Sequence, residues 1–503
     1  MFDIISILSW AKKNLRRKDV VLIFLLVFLY LLTRLINLDQ FPIFSDEGIY
    51  IRWAKVAWHD ATWRFISLTD GKQPLQTWGT IPFLKLFPDN ALLAGRLFSV
   101  ATGFAALVGM FSLLFYLFGK RTALIGSFLY VVTPYFLFYD RMALVDSGVN
   151  AGFIWMLFFS ILLIRTQRLD MALLFGFITG FSLLAKSSVR LFLGLSFLAP
   201  ILTYEKNIKK NIPKVLNFLV LFSIAAVLAL VIYNVQRLSP FFHYVAEKNK
   251  TFVMTFSEFR AAPFSNFFNN IKIIPAYVLG EMGWLPGLFA LLGFSLLFKK
   301  ERNLAWYLLL WMVIPFFIVA FLSKVIFPRY LIFFGTLILI LTAYFLAHQT
   351  KKLFLYSLIP MILIFAFYGY AMLFDFVSLP FPEVDRGQYV EGKTAGWGAS
   401  EIVEFAREKS KEKPVILIAE GNFGLVGDVL DVFTRPDDKI FIRGYWPLNE
   451  KELLENRKEL DKNNVYVVFS HQMEIPSGYP VRLIKRYEKP GGKAALILGE
   501  LIR

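Results

Sequence analysis

The sequence predicts a mainly α-helical polytopic membrane protein that carries a C-terminal extracytoplasmic α/β domain. Three observations carry that prediction. Of 503 residues, 57% are hydrophobic, and Phe alone contributes 55; soluble domains sit nearer 45–50% apolar. About eleven stretches approach the roughly 20 apolar residues that a spanning helix needs. From about residue 375 the chain turns polar, and short apolar runs alternate with helical ones, the pattern of a small α/β fold.

The first span is expected at 20–36, after the basic residues Lys12, Lys13, Arg16, Arg17 and Lys18. It is longer than the apolar stretch of a signal peptide, and no small-residue cleavage site follows, so it reads as a retained span. Further spans are expected at 91–118, 122–139, 148–164, 169–185, 190–204, 214–233, 273–298, 303–322, 328–347 and 352–374. With the N-terminus inside, every short inner loop is basic: Lys120–Arg121, 165–168, 206–214, 299–302 and Lys351–Lys352. Positive loops are retained in the cytoplasm. The odd span number then puts the tail outside.

The expected division is a transmembrane domain over 1–374, with a long outer loop at 38–90, and a soluble α/β domain over 375–503. In the tail, 415–419 (VILIA), 439–443 (KIFIR), 465–470 (VYVVFS) and 494–499 (AALILG) read as strands, and 400–409 and 449–460 as helices. The outer loop holds Trp53, Trp58, Trp63 and Trp78. Residues 48–60 suit an amphipathic helix at the membrane interface.

Several classes of chemistry are excluded or disfavoured. The absence of cysteine removes disulfides, thiolate catalysis and thiolate zinc sites. The net charge of +17 fits cytoplasmic loops and anionic headgroups, so nucleic acid is not an expected partner. Residues 421–427 (GNFGLVG) do not match the dinucleotide fingerprint and read as a tight turn. No phosphate-cradling loop for a nucleotide is present. The histidines, His59, His243, His348 and His471, have no ligand spacing.

The informative charges fall at one membrane level. Asp46, Glu47 and Lys72 lie in the first outer loop, and Arg96 starts the second span. Asp140, Arg141 and Asp146 lie between spans three and four, Lys186 and Arg190 between five and six, and Lys324, Arg329 and Tyr330 between nine and ten. Ionisable groups at the hydrocarbon edge often pair or face a cavity. Cations can hold a phosphate leaving group, and a carboxylate can take a proton from an attacking acceptor. On spacing alone each group also has a structural reading. Asp46 and Glu47 suit a helix start, Asp140 and Arg141 a structural ion pair, and Lys186, Arg190 and Arg329 snorkelling to headgroups.

Four stretches carry a resemblance: 44–50 (FSDEGIY), 71–78 (GKQPLQTW), 139–146 (YDRMALVD) and 180–186 (GFSLLAK), with a weaker match at 328–330 (PRY). In order and spacing they resemble the GT-C membrane glycosyltransferases, nearest the protein O-mannosyltransferases and the lipid A aminoarabinose transferase. Gln73 departs from the family, which often has Pro there, as do Ser187 and Ser188 where Gly is common. The resemblance implies an inverting sugar transfer from a polyprenyl-phosphate donor to a lipid, glycan or protein acceptor. It implies Asp46 as catalytic base, with Glu47 beside it. It implies Lys72, Arg96, Lys186 and Arg329 at the donor phosphate, and Asp140, Arg141, Asp146, Arg190 and Tyr330 shaping the site. No cofactor is required; a divalent metal, if used, would sit on Asp46, Glu47 or Asp146. The competing readings are a transporter or lipid flippase, which predicts paired broken spans, and a scaffold for the outer domain.

Overall fold

The computed structural model describes residues 16–503 apart from 206, 207, 422 and 425. Lys12, Lys13 and Lys206 therefore lie outside the described residues, as do Asn422 and Leu425 of the glycine-rich tract. The chain is mostly helical, with one five-stranded sheet near its C-terminus.

Six helices among the described residues are long and apolar enough to cross a membrane, for example Ala91–Phe118, Asp146–Thr166 and Arg302–Leu322. The other expected spans are charged, short or broken. The helix Arg17–Leu35 carries Arg17, Lys18, Asp19 and Arg34. The expected span at 122–139 is two helices, Lys120–Val132 and Pro134–Tyr139, because Pro134 cannot continue the ladder. The expected span at 273–298 is Phe267–Met282 and Leu285–Lys300, bent by 105°. Gly283 and Trp284 both adopt positive φ at that bend, and Pro286 opens the second helix.

The ends that carry the basic loops gather together. Lys120 Nζ lies 2.6 Å from Asp19 Oδ2, and Arg121 donates to the Gln349 carbonyl at 3.2 Å.

The helix Ser45–His59 packs its apolar face against protein. Ile49, Ile51, Trp53, Ala54 and Ala57 are all buried. It is sandwiched between the bundle and the sheet domain, whose helix Gly427–Phe433 packs on it. The glycine of the FSDEGIY stretch has a reason here, since a Cβ at Gly48 would lie 2.7 Å from Val429 Cγ2. Two ion pairs reinforce the docking: Arg52–Asp428 at 2.6 Å and Lys55–Asp431 at 3.3 Å. One apolar cluster runs through both parts, joining Ile51, Ala54 and Leu92 to Ile402, Val429 and Leu430.

In the sheet, β1 (Val415–Glu420) pairs in parallel with β2 (Ile440–Tyr445) and β3 (Asn464–Phe469). β5 (Ala495–Leu501) pairs antiparallel with β3 and with β4 (Val481–Glu488), giving the order β2-β1-β3-β5-β4. Four strands lie where the apolar runs place them. β4 escapes the sequence reading because Arg482, Lys485 and Arg486 interrupt it; charge of this kind guards an edge strand. The helix Gly427–Phe433 follows the tract read only as a tight turn.

Residues 379–396 form a strap from the last span to the sheet. It is pinned to the segment at the start of the helix Ser45–His59, where Ser45 N donates to the Thr394 carbonyl at 3.0 Å and Gly396 N to the Ile43 carbonyl at 2.7 Å.

Candidate active site

Asp46 sits in the first turn of the helix Ser45–His59, where the N-terminal dipole favours a carboxylate. Its oxygens are divided between two cations. Lys72 Nζ lies 3.4 Å from Oδ1, and Arg329 Nη2 donates to Oδ2 at 3.0 Å. The carboxylate is 29% exposed, to a cavity of about 720 Å³. Burial pushes its carboxyl up, but Lys72 and Arg329 outweigh burial and hold it below the ordinary aspartate value.

Each cation has further partners. Lys72 lies 3.6 Å from Asp70 Oδ2, whose other oxygen accepts from Lys248 at 2.6 Å. Lys72 also faces the Tyr50 ring at 5.0 Å. Arg329 belongs to the short turn Pro328–Leu331. Its Nη1 donates to Gln388 Oε1 at 2.8 Å and to the Tyr389 hydroxyl at 3.1 Å.

A second charged pair faces the same cavity. Asp146, at the start of its helix, accepts from Lys186 at 3.2 Å. The Lys186 ammonium lies 3.8 Å above the Tyr330 ring, and Arg190 donates to the Tyr233 hydroxyl at 2.7 Å. Beyond them the wall is apolar, with Phe252, Ile318, Leu322, Val325 and Phe333. Ile318 and Leu322 also line a second apolar groove of about 460 Å³ on the surface.

The structure thus brings Asp46, Lys72, Asp146, Lys186, Arg190, Arg329 and Tyr330 to one cavity. It corrects the expectation for four others. Glu47 and Arg96 do not reach the cavity; they form a fully buried pair behind it. Arg96 donates to Glu47 from Nε at 2.9 Å and from Nη2 at 2.8 Å. Its Nη1 holds the carbonyls of Leu38 and Phe41 at 2.7 and 2.9 Å. Glu47 also accepts from Phe44 N at 2.9 Å and Ala143 N at 2.7 Å. The pair is a clamp that fixes the loop bearing Asp46.

Asp140 is likewise buried, paired with Arg34 at 3.2 Å and accepting from Ser147 at 2.8 Å. Arg141 neither orients Asp146 nor meets the cavity. It donates to the carbonyls of Thr33, Arg34, Ile36 and Asn37 at 2.8–3.1 Å, closing the C-terminus of the first helix. Lys324 also lies off the cavity, bonded to Glu258 at 2.7 Å.

Of the carboxylates named for a metal, Glu47 is taken up by Arg96, while Asp46 and Asp146 both line the cavity. No group of three His, Asp or Glu side chains poised to hold a metal occurs among the described residues.

The sequence reading missed Asp70, Lys248, Gln388 and Tyr389. Lys248 stands in an ordinary charged helix, Tyr244–Phe252. Gln388 and Tyr389 lie far along the chain in the strap, in a π-helical turn over Gly387–Glu391. Such turns recur at functional sites, yet no short motif announces one.

A helical bundle with a buried acidic loop, a charged cavity beneath it and an α/β domain packed on that loop is the GT-C fold, which the chain shares with solved structures. A family profile described as dolichyl-phosphate-mannose-protein mannosyltransferase matches residues 72–230. ArnT from Cupriavidus metallidurans superposes over 95% of this chain and 97% of its own, with a TM-score of 0.61 and 14% identity in the apo state. Its structure bound to undecaprenyl phosphate gives 0.61 and 13% over the same shares. The archaeal oligosaccharyltransferase AglB from Archaeoglobus fulgidus, in complex with an inhibitory peptide and a dolichol-phosphate, covers 91% of this chain and 70% of its own. Its TM-score is 0.52 at 13% identity. No curated protein sequence matches the chain.

Proposed function

We propose that this protein transfers a sugar from a polyprenyl-phosphate donor to an acceptor at the extracytoplasmic membrane face. The observation that carries the reading is Asp46. It is a partly exposed carboxylate gripped by Lys72 and Arg329, on the wall of a cavity that continues into apolar surface. ArnT and AglB, whose fold the chain shares, bind undecaprenyl phosphate and dolichol-phosphate respectively.

The donor phosphate sits among Lys186, Arg190 and Arg329, and the polyprenyl chain leaves past Ile318 and Leu322. The sugar then lies toward Asp46. An acceptor hydroxyl or amine attacks the anomeric carbon from the Asp46 side, and Asp46 takes its proton. The bond from that carbon to the phosphate oxygen breaks, with inversion, and the cations stabilise the charge that gathers on the departing phosphate. One of these cations, Arg329, also depresses the basicity of Asp46, together with Lys72. A bound phosphate shares the Arg329 charge, so donor binding itself loosens that hold and raises the base toward working strength. The basic ends gathered around Asp19 and Gln349 lie in the cytoplasm, which puts the cavity and the sheet domain outside.

The test is transfer of labelled sugar from a panel of polyprenyl-phosphate sugars in proteoliposomes, wild type beside Asp46→Asn. The expected result is turnover in wild type and a loss of about a hundredfold or more in the variant, the lower end of a general base's contribution. Equal turnover would remove Asp46 from the role. No turnover with any donor, from folded protein, would favour a transporter.

A further inference from the structure

We propose that Gln388 and Gln73 form a sugar-reading subsite, two carboxamides that present N–H donors to hydroxyl oxygens of the transferred sugar. The proposal rests on the transferase reading above and deepens it.

Each residue is tied to one of the two cations that grip Asp46. Arg329 grips Asp46 Oδ2 and also holds Gln388. Lys72 grips Oδ1, and Gln73 is its chain neighbour. Both glutamines belong to the cavity wall. The orientation of Gln388 is settled by chemistry. Arg329 is a donor only, so the carboxamide must give it the oxygen. Oε1 is therefore engaged at 2.8 Å, and the NH2 group is left for the cavity. The backbone beneath is fixed as well, since Thr394 Oγ1 donates to the Gln388 carbonyl at 2.8 Å.

Gln73 is 5% exposed, yet its Nε2 has no hydrogen-bond partner among the described residues. A buried donor left unpaired is costly and calls for an explanation. A sugar oxygen at the cavity wall supplies one. A site built to hydrogen-bond a substrate hydroxyl rejects analogues that lack it, because its polar groups are then left unpaired.

The test measures binding and is independent of turnover. Undecaprenyl-phosphate sugars (a hexose, an N-acetylhexosamine, a pentose and an aminopentose) are compared with sugar-free undecaprenyl phosphate on the full chain in nanodiscs. At least one sugar should bind more tightly than the bare lipid. Gln388→Ala and Gln73→Met should each remove about five- to tenfold of that preference, the worth of one hydrogen bond, with bare-lipid affinity within twofold of wild type. The proposal is overturned if no sugar outbinds the bare lipid, if the preference survives the variants, or if bare-lipid affinity falls in parallel, which would assign Gln388 to positioning Arg329. Sugar-selective binding without transfer would sink the transferase reading and leave this one standing.

Discussion

The neighbouring carboxylates Asp46 and Glu47 should respond to amide substitution in opposite ways. Glu47 is fully buried and each of its oxygens receives two donors: Oε1 from Arg96 Nε and Ala143 N, Oε2 from Arg96 Nη2 and Phe44 N. In Glu47→Gln, either orientation of the amide sets an NH2 group against two donors. Two hydrogen bonds become donor–donor contacts, and the Arg96 guanidinium is left buried without its counter-charge. Breaking a buried pair on one side costs about 3–5 kcal/mol. For detergent-solubilised protein that should appear as a melting temperature lower by about 3–5 °C. Transfer per folded molecule should stay within a few-fold of wild type. Asp46 is partly exposed, so Asp46→Asn should melt within about 2 °C of wild type while losing transfer. Paired thermal unfolding and specific activity measurements decide the matter. A Glu47→Gln protein that melts like wild type yet is inactive would refute the clamp and return Glu47 to the substrate.

Two predictions concern pH. Lys72 and Arg329 hold the Asp46 carboxyl low, and a base must be ionised, so activity falls as pH drops through its folded value. Lys72→Met removes one depressing charge; the acid limb of the transfer rate should move to higher pH, and an unmoved limb would argue against Asp46 as the titrating group. In the strap, burial pushes the Asp385 carboxyl up, against the opposing hydrogen bonds with Tyr139 and Glu281. The folded state therefore holds this proton more tightly than the unfolded one, and the contribution is full below the ordinary aspartate range and lost as pH rises through the raised folded value. Asp385→Asn should flatten that part of the melting-temperature profile, and an unchanged slope would assign the effect elsewhere.

Much of this arrangement was legible from residue order. Apolar length announces a span locally, because a bilayer demands about 20 apolar residues whatever surrounds them. The strands VILIA and VYVVFS announce themselves for a similar reason, being continuously buried runs. The motif order also singled out Asp46, Lys72, Asp146, Lys186 and Arg329, which line one cavity. What sequence could not settle was which charges face the cavity and which are consumed behind it. Asp46 and Glu47 are adjacent in a helix and so point about 100° apart; only the packing of Arg96, 49 residues away, decides that Glu47 is the buried one. Asp140 and Arg141 were diverted in the same way, by Arg34 and by four carbonyls at the end of the helix Arg17–Leu35. The strap is the extreme case. Gln388 and Tyr389 meet Arg329 across 59 and 60 residues, through a turn without a periodic signature. Spacing along the chain sets where a group can lie relative to the membrane; which partner neutralises it is a property of the tertiary structure, because charge pairing acts through space and the sequence records only the path between.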